Sequence, residues 1–223
     1  MSNIRKIGKL LEPLIARRND LAYVSRWLII KPTHHILRLV TFDRGFYPGF
    51  FRAYWSVSAT FDQDNVFSLS DGQPFYPPQP LRWNLSEPTI QKALLDTIET
   101  EVLPLLEPVR GIEDYVAFCD HHDFRGRLEQ FPLRNIKIQA ALGNFDKARA
   151  VGEVLASGRT FWTEPRMREL WEPILTELCP LLRADDRAGV ANLLHRWERE
   201  VAQSRKLAGI WEPSPFPLEQ SWS

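Results

Sequence analysis

From Phe50 to Phe61 the chain alternates, with Phe51, Ala53, Trp55, Val57, Ala59 and Phe61 interleaved with Arg52, Tyr54, Ser56, Ser58 and Thr60. Successive side chains of a strand point to opposite faces, so this run predicts a β-strand with one buried and one polar side. Such a strand needs partners, and the flanking sequence offers them. Leu21 to Ile30 and His35 to Phe42 are rich in β-branched, aromatic and aliphatic residues and are separated by Lys31, Pro32 and Thr33, which read as a turn. Gly45, Pro48 and Gly49 form a second connection, and Leu81 to Leu85 reads as a short fourth strand. An antiparallel meander of three or four strands follows.

Ahead of the meander, Ile4, Ile7, Leu10, Leu11, Leu14 and Ile15 form the apolar stripe of a helix running to about Arg17, capped by Ser2 or Asn3 and shortened or kinked at Pro13. After Ser86 the period becomes helical. Ile90, Leu94, Ile98, Val102 and Leu105 lie on one face, and Pro104 and Pro108 predict the end of that helix. Ile112 to Cys119 reads as a short helix. Phe131 to Leu142 with Lys147 to Ala156, and Pro165 to Leu182 with Asp186 to about Leu207, read as two helical pairs. The predicted class is α+β: residues 1–85 form the helix and antiparallel sheet, and residues 86–223 form a helical half packed on it as one unit. With 44% hydrophobic and 12% aromatic residues the chain can build a substantial core.

Composition narrows the functions. Lys plus Arg and Asp plus Glu each total 28, so the chain lacks the long-range field that draws proteins to phosphate backbones or anionic lipid. Two cysteines, Cys119 and Cys179, do not make a disulfide framework, and a reducing compartment is the simpler reading. The charge-broken N-terminal stripe is unlike a signal peptide, and no run of about 18 uncharged apolar residues occurs, so a cytoplasmic protein away from membranes is expected.

No Gly-rich phosphate loop, nucleophile elbow, paired-cysteine zinc motif or helical His-Glu-x-x-His signature is present. The one dense polar constellation is Cys119, Asp120, His121, His122 and Asp123. Imidazoles and carboxylates are ligands zinc accepts, so Asp120, His121, His122 and Asp123 define one alternative, a metal-assisted hydrolase. The plainer reading makes Cys119 a core residue, since Ile112, Tyr115, Val116 and Cys119 share a helix face, and makes the two histidines a surface cap at the helix end. His34, His35 and His195 read as structural or solvent-facing.

Two segments suggest binding. Pro74, Pro77, Pro78 and Pro80 flank Phe75 and Tyr76 in an extended loop, either a recognition patch or a connector tucked onto the core. On the polar side of the alternating strand, Arg52 and Tyr54 sit together in a region where arginines and aromatics interleave. That pattern supports a second alternative, an RNA or single-strand nucleic-acid binder, which the balanced charge disfavours. The C-terminal stretch from Ile210 to Glu219 carries Pro213, Pro215 and Pro217 beside Trp211, Phe216 and Leu218. It reads as a tail strapped over its own core, with partner binding or self-association as the sharper alternative.

The phrases Ala141 to Ala148 and Leu182 to Ala188 resemble the turn of a tetratricopeptide-type hairpin. In layout, with helix, antiparallel meander, helical second half and aromatic tail, the chain resembles the uncharacterised bacterial α+β domains that recur among toxin-immunity and other small accessory proteins. That resemblance implies a cytosolic protein that binds another protein. The expected function is therefore a non-enzymatic interaction protein of the immunity-inhibitor type. It would use Phe75, Tyr76, Arg52 and Tyr54, need no cofactor, and have a protein partner or a second copy of itself across its aromatic surface.

Overall fold

The computed structural model of the chain describes residues 3–63, 72–78, 82–122, 128–157 and 170–220. The class is α+β, with an N-terminal helix, an antiparallel sheet and a mostly helical second half. Helix α1 (Asn3–Arg17) runs unbroken through Pro13 and buries Ile7, Leu11 and Leu14. The sheet has five strands in sequence order: β1 (Leu21–Val24), β2 (Trp27–Ile30), β3 (Ile36–Arg44), β4 (Phe51–Ala59) and β5 (Gly72–Phe75).

Two details differ from the sequence expectation. Leu21 to Ile30 folds as a hairpin rather than one strand, because Ser25 adopts a left-handed φ of 59° and reverses the chain between Val24 and Trp27. The proline-flanked segment is extended as expected, but it also pairs: Gly72 to Phe75 lie opposite Ser56 to Ala53 as an edge strand. Close approach requires glycine there, since a Cβ on Gly72 would fall 2.1 Å from the Trp55 carbonyl oxygen. Within the expected fourth strand, Leu81 lies outside the described residues and Asn84 makes a single bridge to Phe50.

The helical half begins with α2 (Ile90–Thr97), which continues through a π-helical turn (Ile98–Val102) into α3 (Leu103–Leu106). The helix ends at Leu106, between the two prolines that predict its end, and Pro104 lies inside its last segment. The π turn moves Leu103 N–H onto the Ile98 carbonyl, so Pro104 occupies the first turn of a new segment, where no donor is required. The same device recurs where a π turn (Ile174–Leu178) precedes α7 (Cys179–Arg183) with Pro180 in its first turn. Between them lie α4 (Ile112–His121), α5 (Pro132–Ala141) and α6 (Phe145–Ala156). The long α8 (Arg187–Ser204) and short α9 (Pro217–Gln220) complete the chain. Residues 165–169 of the expected helix Pro165 to Leu182 lie outside the described residues.

The two turns that resemble tetratricopeptide hairpins share one geometry. After α5, Gly143 at φ 77° lets Asn144 N–H reach the Gln139 carbonyl; after α7, Asp185 at φ 54° lets Asp186 N–H reach the Leu181 carbonyl. Both are Schellman closures, which satisfy carbonyls orphaned at a helix end. Asp186 then caps α8 through Gly189 N–H at 2.8 Å.

One cluster of buried side chains joins both halves. It includes Leu11 of α1, Phe42 and Trp55 of the sheet, Ile98 and Ile136 of the helices, and Phe216 and Leu218 of the tail. Among the described residues the opposite sheet face is covered at one end. There, Ile29, Leu37 and Leu39 pack on Val201 and Ala202 in the last turn of α8 and on Leu207 beyond it. Level with Leu37 and Leu39, Ser58 and Ser56 of β4 are buried, while toward the β3–β4 connection Tyr54 is half-buried and Arg52 exposed.

The tail is strapped to the core, as its apolar residues require. Phe216 is fully buried, stacked on His35 with centroids 4.0 Å apart and edge-on to Phe61 at 5.4 Å. Replacing Phe216 with alanine should lower unfolding free energy by about 3–5 kcal/mol, the cost of emptying a buried aromatic site. A loss below about 1 kcal/mol in chemical denaturation would show that the strap adds little.

Candidate functional site

Four of the residues singled out from sequence converge. Arg52, Tyr54, Phe75 and Tyr76 all line one groove of about 620 Å³ at the end of the sheet where β3 turns into β4. Alternation puts Arg52 and Tyr54 on the uncovered side of β4, and the pairing of Tyr54 with Pro74 and Ala53 with Phe75 carries the proline-flanked segment alongside.

Buried aromatics of the core-facing side back the groove. Phe75 is buried, unlike its neighbour Tyr76; its ring meets Trp83 edge-on at 5.8 Å, and its carbonyl accepts the Trp83 indole N–H at 2.9 Å. Trp83 also stacks on Phe51 at 5.8 Å, and its carbonyl accepts the Phe51 N–H at 3.0 Å. The rim comes from the tight connection between β3 and β4. Gly45 N–H bonds the Phe50 carbonyl at 2.9 Å, a closeness that leaves no room for a side chain at position 45, and Gly49 takes φ 82°. The reversal turns Phe46 and Tyr47 outward, 91% and 60% exposed, and Tyr76 is 70% exposed across the groove. Among the described residues the only other exposed large apolar side chain is Val154. Sequence reasoning missed Arg82 and Trp83, and it placed Phe46 and Tyr47 only among the aromatics interleaved with arginines in the nucleic-acid alternative. Gly45 and Gly49 read there as turn formers, and the signal not used was that a tight turn leaves its central aromatics nowhere to be buried.

The groove is also basic. Arg52 and Arg82 line it, and no acidic residue is among its described lining. Asp43 lies directly opposite Arg52 in the β3–β4 register, but its carboxylate is taken by Arg26 at 3.0 Å.

The constellation at the end of α4 is less organised. Cys119 is buried, Asp120 and His121 are exposed, and Asp123 lies outside the described residues. His122 rests against Phe118 at 4.4 Å and edge-on to Trp55 at 6.4 Å; burial, then the neighbouring His121, pushes its pKa down. Among the described residues no group of three or more His, Cys, Asp or Glu is placed to hold a metal ion. Asp120 does line a second groove, of about 570 Å³, with Asn135, Gln139 and Lys147.

The densest polar network lies elsewhere. Glu198 of α8 is wholly buried; its Oε1 accepts from Thr60 at 2.6 Å and lies 2.9 Å from His35 Nδ1, while Oε2 lies 3.6 Å from His195 Nδ1, an ionic contact too long for a hydrogen bond. His35 Nε2 faces both Ser214 Oγ and the Pro215 carbonyl at 3.1 Å. Serine, histidine and carboxylate thus stand in the order of a hydrolytic triad, but Phe216 covers the imidazole and the backbone carbonyl competes for Nε2. The arrangement is a clamp on the tail: His195 Nε2 holds Glu219 at 2.9 Å, and Glu219 accepts the Phe216 N–H at 2.6 Å.

No protein-family model, curated protein or solved structure matches this chain. Among the described residues no helix is long and apolar enough to cross a membrane.

The clamp titrates in a defined direction. Contact with Glu198, set against burial and reinforced by Glu219, raises the His195 pKa. Burial pushes Glu198 up, but His195, His35 and Thr60 outweigh it and hold the carboxyl below its ordinary value. The His195 contribution is therefore complete below the ordinary histidine value near 6.5 and is lost as pH rises through the raised one. The Glu198 contribution is present above the ordinary glutamate value and is lost as pH falls through the depressed one. Melting temperature should peak between roughly pH 4.5 and 6.5 and decline on the alkaline side, and His195→Gln should flatten that decline. An unchanged alkaline slope in His195→Gln would rule out His195 as its source.

Proposed function

We propose that the protein acts by binding another protein through the groove at the open end of its sheet. The inhibitor role implied by its layout is the form this activity takes when the bound segment belongs to the partner's working site. One observation carries the reading: Phe46, Tyr47 and Tyr76 stand in water around a single concave, arginine-bearing surface. Clustered exposed aromatics of this kind mark interaction sites, and tyrosine and arginine are the side chains that most often dominate interface energy. Covering each ring is worth roughly 1.5–3 kcal/mol, so the rim alone can anchor a complex.

The support is rigid. The backing rings are fixed by the Trp83 hydrogen bonds on both sides, and the rim is held by the short turn. Little ordering is needed on association, which favours affinity.

The reading is tested by placing a photo-crosslinking amino acid at Tyr76 in cells that make the protein, with Val154 as an exposed control position. A defined protein should crosslink at 76 and not at 154, and Tyr47→Ala should reduce its capture at least fivefold. Equal capture at the two positions, or capture of nucleic acid alone, would overturn it.

A further inference from the structure

We infer that the occupant of the groove is an acidic protein segment, its carboxylates on Arg52 and Arg82 and an aromatic or aliphatic side chain against the exposed rings of Phe46, Tyr47 and Tyr76. The inference rests on the groove being the binding surface and adds the chemistry of what enters it.

A carboxylate directly across an antiparallel pair from an arginine is its natural partner, and Asp43 occupies that position opposite Arg52. Arg26, in the turn between β1 and β2 and thus on the side of β3 away from β4, instead bonds Asp43 at 3.0 Å. Arg52 is thereby left to the groove, and Arg82 joins it; among the described residues neither has a carboxylate partner. Guanidinium groups grip carboxylates in paired, short hydrogen bonds, and a partly water-excluded aromatic wall strengthens that attraction.

The rings argue for a protein occupant over a nucleic acid. Phe46 meets Tyr47 at 65° and Tyr47 meets Phe50 at 69°, both near 6.0 Å. These edge-to-face contacts make walls for a side chain; they do not present the row of open parallel faces on which successive bases stack. Two arginines in a chain of zero net charge also fall short of the line of cations that follows a phosphate backbone.

The experiment screens the full chain against an arrayed library of random 12-residue peptides, with 12-residue oligo(U) and oligo(dT) as competing probes. Retained peptides should be enriched in Asp or Glu beside Phe, Trp, Tyr, Leu or Ile. The double variant Arg52→Glu/Arg82→Glu, checked for an unchanged melting temperature, should bind them at least tenfold more weakly. Peptides with Lys in place of each acid should regain binding to that variant. Enrichment without acidic residues, still abolished by Tyr47→Ala with Tyr76→Ala, would overturn the acidic partner while leaving the groove as the binding surface. Binding of the oligonucleotides alone, or of no probe, would overturn both.

Discussion

A carboxylate with no access to water, that of Glu198, sits where the sheet, the longest helix and the tail meet, and the arrangement of the molecule depends on it. It draws in Thr60 at the end of β4, His35 just before β3, and His195 one turn earlier on its own helix. A buried charge is tolerated only when it is paired and hydrogen-bonded, and removing one partner strands the other in a medium that cannot solvate it. Two residues on from Thr60, Asp62 is held by Lys137 at 2.7 Å and approached by Arg134 at 3.5 Å, all three buried, which fixes α5 to the same end of the sheet. Such contacts are directional, so they set which helix lies against which strand end in a way that apolar packing alone does not.

The two ends of β4 are therefore unlike. The end near Thr60 and Asp62 is locked by ionic contacts and roofed by α8 and the tail; toward the other end Arg52 stands exposed on the polar face. The alternating pattern is continuous from one end to the other, so the difference lies in what covers the polar face. Among the described residues, helix α8 and its extension reach Leu37 and Leu39 and go no further along that face. The groove is the uncovered remainder of an otherwise packed sheet. Its aromatics belong both to the fold, through Phe51, Phe75 and Trp83, and to the surface, through Phe46, Tyr47 and Tyr76.

Much of this was legible in the sequence, and what was not has definite physical causes. Period-two alternation located β4 and its polar face, and the 3,4 spacing located most helices, because burial on one side imposes those periods. The hairpin within Leu21 to Ile30 was hidden because a serine, not a glycine, takes the left-handed position. Pro104 and Pro108 marked the end of the helix that carries Ile90, which stops at Leu106, but nothing in the sequence showed the π turn that lets Pro104, and likewise Pro180, sit inside a continuing helix. Arg52, Tyr54, Phe75 and Tyr76 were visible as local patterns, but their meeting around one groove needed the β4–β5 pairing, which no single segment encodes. The Glu198 network was invisible for the same reason: His35 and Glu198 lie 163 positions apart, and a lone glutamate on a helix gives no sign that it will be buried.

An aromatic surface beside a sheet edge is ordinarily a hazard, since an edge strand offers its free backbone groups to any copy of itself that arrives. Here the edge is β5, and Pro74 stands inside it. A proline has no donor to give an incoming strand, and its position opposite Tyr54 leaves the bonds to β4 on either side in place. The molecule can thus keep a patch that holds side chains without offering a ladder on which identical chains stack into fibres. Specific attachment and resistance to self-assembly are served within four residues by the same short strand.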